Sequence, residues 1–82
     1  MQTVTPTEFT AYVASRGYRT EPMFNSIAAG DGAPLEVTGY ELRGPRGNKT
    51  VVIKEKDGRL SLFSAQLWCD SVDYATSKLR RR

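Results

Sequence analysis

Ten cations lie in the second half of the chain. Lys54, Lys56 and Arg59 have the spacing to project from one face of a β-ribbon, Arg43, Arg46 and Lys49 crowd a glycine-bearing loop, and Lys78 with Arg80, Arg81 and Arg82 forms a basic end. Such a set neutralises phosphates and releases their counterions, and a two-stranded ribbon is a shape the DNA major groove admits. Phe63 and Tyr40 add rings able to stack on bases where they are exposed. The plainer reading is a solvated strand face, whose lysines discourage edge-to-edge aggregation, and a basic tail at 80–82.

Other chemistry is thinly supplied. The chain has no histidine, so the commonest general acid and base is missing and neither a Cys-His nor a Ser-His pair can be assembled. Asp70 and Asp73 share a helix face, and Glu36 and Glu41 could meet across a bulged strand, but surface carboxylates at such spacings are usually solvated. The segment Gly44-Pro45-Arg46-Gly47-Asn48-Lys49-Thr50 has the look of a phosphate loop but leads into a strand where a helix would be needed. The lone Cys69 excludes an internal disulfide and, with histidine absent, most zinc and transition-metal sites. Cys69 and Trp68 fall on an apolar helical stripe and read as core. The expectation is a non-enzyme with no metal and no cofactor.

The elements that must position these residues are marked unevenly. Thr5, Pro6 and Glu8 form a capping box with proline at the first helical position, and Val4 and Phe9 have the spacing of a hydrophobic staple. Phe9, Tyr12, Val13 and Arg16 recur at helical spacing and Gly17 suits the end, which predicts a helix over 6–16. From Tyr18 to Pro34 the pattern weakens, and Met23, Phe24 and Ile27 fit a helical turn or a short strand equally. Residues 35–63 read as three strands. The apolar phase shift after Gly39 suggests a bulge, and Asp57-Gly58 predicts a two-residue type I′ hairpin pairing Lys56 with Arg59, Lys54 with Ser61 and Val52 with Phe63. Ala65, Trp68, Cys69, Val72, Thr76 and Leu79 mark an amphipathic helix from about 64 to 79. The expected fold is one small α+β domain over 1–82: an N-terminal helix, a three-stranded antiparallel sheet, and a C-terminal helix packed on one sheet face.

Composition agrees with a folded domain: 82 residues, 39% hydrophobic and 26% charged. Residues 1–41 set Arg16 and Arg19 against Glu8, Glu21, Asp31, Glu36 and Glu41, while residues 42–82 set ten cations against four carboxylates. That polarity steers an anionic partner. A polar N-terminus, the lone cysteine and the lack of any long apolar run predict a cytoplasmic protein that does not enter a membrane. Edge pairing of an outer strand is a route to a dimer, opposed by Gly39 and the charged hairpin.

Three strands followed by a helix, with basic residues on the sheet, is similar in order to AP2-type and integrase arm-binding domains, which implies a sheet laid in the DNA major groove. The full order of helix, three strands and helix resembles a double-stranded-RNA-binding domain, except that Ser64-Ala65-Gln66-Leu67-Trp68 stands where that family has a basic cluster. Both are likenesses of topology. The expected function is binding of DNA or RNA through the hairpin face, the 43–49 loop, Phe63 and the terminal arginines. The alternative is a small inhibitor or adaptor, of the kind phages and mobile elements encode, that docks on an acidic or nucleic-acid-binding protein surface.

Overall fold

Thr5 ends an extended segment and starts the first helix. Its hydroxyl accepts from the Glu8 N–H at 3.2 Å while the Glu8 carboxylate accepts from the Thr5 N–H at 3.0 Å, so the reciprocal box expected from the sequence is formed. The computed structural model describes residues 2–24 and 36–80, with side chains through Lys78. In chain order the elements are β1 (Thr3–Val4), α1 (Pro6–Ser15), β2 (Arg19–Phe24), β3 (Val37–Arg43), β4 (Lys49–Ile53), β5 (Leu60–Ser61) and α2 (Leu62–Arg80). Ile27 and the segment 25–35 lie outside the described residues.

The fold is α+β, with two helices and a three-stranded antiparallel sheet ordered β2-β3-β4 among the described residues. Two of its strands, β3 and β4, lie within the stretch 35–63 expected to form strands, and the third does not. The segment that the sequence leaves open supplies β2, and a short strand, β1, precedes α1 and pairs with β5 through Thr3↔Ser61 and Val4↔Leu60. The expected order of helix, three strands and helix is matched in part: β1 stands before α1, and β5 is added before α2.

Side chains alternate between the two sheet faces. Leu42 and Val52 point to the core and are buried, and Tyr40, paired with Val52, packs against the same cluster. Phe9 and Val13 of α1, Val4 of β1, Leu60 of β5 and Ala65 of α2 complete it, so both helices contribute to one core. Val4 and Phe9, the expected staple pair, are both buried there. Cys69 is fully buried, and Trp68 packs against the core edge-on to Tyr18 at 5.2 Å between ring centres.

The opposite sheet face carries three rows set by the register: Arg19, Arg43 and Lys49; Glu21, Glu41 and Val51; and Met23, Gly39 and Ile53. Val51 and Ile53 are exposed on it. The expected bulge sits beside Gly39: Met23 pairs with Gly39 and Phe24 with Val37, leaving Thr38 as the extra residue.

The tip at Asp57-Gly58 differs from the expected hairpin by one residue. The Gly58 N–H donates to the Glu55 carbonyl and the Glu55 N–H to the Arg59 carbonyl, both at 2.8 Å. Gly58 has φ +82° whereas Asp57 keeps a negative φ, so Lys56 and Asp57 form an ordinary turn and glycine supplies the left-handed residue after it. Glu55 therefore closes on Arg59, and Lys56 does not. Beyond that pair the chain leaves β4 for β1, Val52 pairs with Tyr40, and Phe63 lies in α2. The β4–β5 ribbon is not formed.

Candidate functional site

Antiparallel pairing places Arg19 opposite Arg43 and Arg43 opposite Lys49, a row of three cations across the end of the sheet. Like charges directly opposite one another destabilise a sheet. The neighbouring row offsets part of that cost. The Glu41 carboxylate takes Arg43 on one oxygen at 2.6 Å and Lys49 on the other at 3.6 Å, and Glu21 meets Arg43 at 3.2 Å. The hydrogen bond from Arg43 holds the Glu41 carboxyl below its usual range, helped by the charges of Arg43 and Lys49, and the same bond raises the Arg43 guanidinium.

The loop after the row is built like the second tip. The Gly44 N–H donates to the Asn48 carbonyl at 2.8 Å across Pro45-Arg46-Gly47, and Gly47 takes φ +77°. Asn48 turns its side-chain oxygen to the Arg46 N–H at 3.3 Å, fixing the tip from within. A shallow cleft of about 410 Å³ lies between this loop and the row, lined by Arg19, Arg43 and Lys49 and by Gly44, Pro45, Gly47 and Asn48. Among the described residues, no carboxylate meets the Arg19 or Arg46 side chain. Four cations thus share two carboxylates at this end of the molecule.

Of the expected site residues, the structure sets Arg43 opposite Lys49 with Arg46 in the loop that joins them, and places Lys54, Lys56, Arg59 and Phe63 elsewhere. Lys54 and Lys56 lie past the far end of β4, about 16 Å or more along the strand from Lys49, where they line a second shallow cleft with Glu36 and Glu55. Arg59 is a structural residue: its guanidinium donates to the Thr3 carbonyl at 2.9 Å and to the Thr3 hydroxyl at 3.2 Å, holding β1 against β5. Phe63 is exposed, but on α2 and away from any strand ribbon. Helix α2 continues through Arg80, so the basic end does not begin as a tail there, and Arg81 and Arg82 lie outside the described residues. Arg19 is the residue the sequence missed. Its signal was the charged alternation Arg19-Thr20-Glu21, masked by Pro22 immediately after it.

Asp70 and Asp73 are exposed, as the sequence suggests, and together clamp Arg16. Arg16 donates to Asp70 at 2.8 Å and to Asp73 at 2.6 Å, and Tyr18 donates its hydroxyl proton to Asp73. That bond pushes the Tyr18 phenol up to about 12 and, with Arg16, holds the Asp73 carboxyl down. The cluster joins the end of α1 to α2 and is satisfied within itself. Burial raises the Cys69 thiol, which suits an inert core residue. Among the described residues, no group of His, Cys, Asp and Glu could hold a metal ion, and no helix is long and apolar enough to cross a membrane.

Comparison with models of known families, with curated proteins and with solved structures finds no match.

Proposed function

We propose that this chain is a non-catalytic module that binds a nucleic-acid phosphate backbone at the end of its sheet, with Arg19, Arg43 and Lys49 as the strand contacts and Arg46 at the loop tip. One observation carries the reading: three cations stand directly opposite one another on adjacent strands, an arrangement that costs stability and leaves an excess of positive charge beside a polar cleft. A phosphate chain supplies the missing negative charge. The backbone of Gly44 and Gly47 adds no side chain to obstruct its approach.

The test is fluorescence anisotropy with a labelled DNA duplex and a labelled single-stranded RNA at low salt. Replacing Arg46 and Lys49 together with Glu should weaken binding by at least about tenfold and flatten its salt dependence, whereas Lys54→Glu with Lys56→Glu should leave most of it. Absence of binding to either nucleic acid, or equal loss in the two double variants, overturns the proposal.

Exposed Val51 and Ile53 on the same face favour a second reading, a protein partner whose acidic surface meets the basic row and whose apolar part covers these two side chains. A partner that survives nuclease treatment and is lost on Ile53→Glu supports it. The buried free thiol of Cys69 supports a reducing, cytoplasmic setting under either reading.

A further inference from the structure

The central cation of the basic row is engaged on every nitrogen of its guanidinium. Arg43 donates from Nε to Oε1 of Glu41 at 2.6 Å and from Nη2 to the same oxygen at 2.6 Å, while its Nη1 lies 3.2 Å from Oε1 of Glu21. The second oxygen of Glu41, Oε2, lies 3.6 Å from the Lys49 ammonium. Glu41 thus holds two cations of the row at once, as a phosphate would. Its side chain is 19% exposed, against 43% for Arg43 and 58% for Lys49, so the carboxylate is tucked among the cations and does not extend into solvent.

Register puts it there. Glu41 and Arg43 are two residues apart on β3 and share a face, and Arg43 stands opposite Lys49, so one carboxylate reaches both cations. Glu21 stands directly opposite Glu41 on β2, and without cations between them the two carboxylates repel. A phosphate that took Arg43 and Lys49 would leave that repulsion unrelieved, so the exchange works against binding. Arg19 and Arg46 need no exchange, because among the described residues no carboxylate meets either side chain.

We propose that Glu41 is an internal competitor at the phosphate site: it occupies Arg43 and Lys49 in the free protein, and a nucleic-acid backbone binds first to Arg19 and Arg46 and then displaces it. The inference rests on the phosphate-binding reading of the row and adds the residue that sets its affinity. A lone phosphate meets a tethered carboxylate at high effective concentration, whereas a chain already held at Arg19 and Arg46 presents its next phosphate at an effective concentration of the same kind. Glu41 therefore sets a threshold that favours chains of phosphates over single ones.

Fluorescence anisotropy with a labelled single-stranded RNA at 0.1 M salt tests the proposal. Glu41→Gln should tighten binding by about threefold to tenfold, the size expected for releasing two exposed ion pairs, with unchanged circular dichroism. Glu55→Gln makes the same change in net charge past the far end of β4, beyond the roughly 10 Å over which charges act at this ionic strength, and should alter binding by less than about twofold. Introducing Glu41→Gln into an Arg43→Gln protein separates occupation from plain repulsion: a competitor for Arg43 has little left to block, so the gain should fall to about twofold or less. Binding by neither the parent nor Glu41→Gln removes the phosphate reading itself. Binding that Glu41→Gln leaves unchanged or weakens, or a gain just as large beside Arg43→Gln or from Glu55→Gln, overturns the competition and leaves that reading standing.

Discussion

Ile53 lies across Gly39: a Cβ built on Gly39 would sit 2.5 Å from the Val52 carbonyl oxygen, 2.9 Å from the Ile53 Cα and 3.1 Å from its Cδ1. The two nearest of these atoms are backbone, so no rotamer change relieves the contact. The β4 backbone can approach β3 this closely only because residue 39 has no side chain.

Gly39→Ala should therefore force β4 away from β3 and cost about 2–4 kcal/mol. Urea unfolding followed by tryptophan fluorescence measures it. A loss below about 0.5 kcal/mol would show that the strand can shift without penalty.

Arg59 ties the N-terminal strand to the segment before α2. Arg59→Ala removes both bonds to Thr3 and should lower stability by about 1–2 kcal/mol. Amide hydrogen exchange should quicken at Val4 and Leu60 more than at Leu42. Uniform quickening would mean that β1 does not open separately.

The Tyr18–Asp73 bond predicts an alkaline weakness. The folded phenol sits near 12 against an ordinary 10.0, so its stabilising contribution is fully present below pH 10 and is lost as pH rises through about 12. Tyr18→Phe should have a lower midpoint of unfolding at neutral pH and lose less between pH 10 and 12 than the parent. Parallel curves for the two proteins would remove the bond from the account.

Cys69 is buried with its thiol raised by desolvation, so alkylation by iodoacetamide should proceed through opening of the fold. The rate should rise steeply with urea below the unfolding midpoint. Rapid modification without denaturant would place the thiol at the surface.

Legibility in the sequence followed the range of the cause. Thr5 and Glu8 satisfy one another within a single turn, so the start of α1 could be read directly, and the Cys69 stripe needed only helical periodicity. Strand β2 was hidden because Pro22 interrupts it. Proline is tolerated there since, among the described residues, β2 is an edge strand and one of its sides has no ladder to serve. The Asp57-Gly58 tip was recognised as a turn, but two-residue and three-residue tips share that dipeptide, and the dipeptide alone does not choose between them. That one-residue difference dissolves the cationic ribbon. The basic row was missed for a related reason: Arg19 and Arg43 meet only through β2–β3 pairing, which no local pattern encodes.

The pairing of β1 with β5 also sets an order of events during synthesis. Helix α1 carries its own start signal and can form early, yet Thr3 and Val4 have no strand to join until Leu60 and Ser61 have been made. Phe9 and Val13 can meet Tyr40, Leu42 and Val52 earlier, but their cover is complete only with Leu60 and Ala65. Loop closure over such a separation is slow compared with a helical turn. A nascent chain of this protein therefore shows an amphipathic helix with its oily side incompletely covered until most of its length has emerged, and that is the interval in which a chaperone would find it.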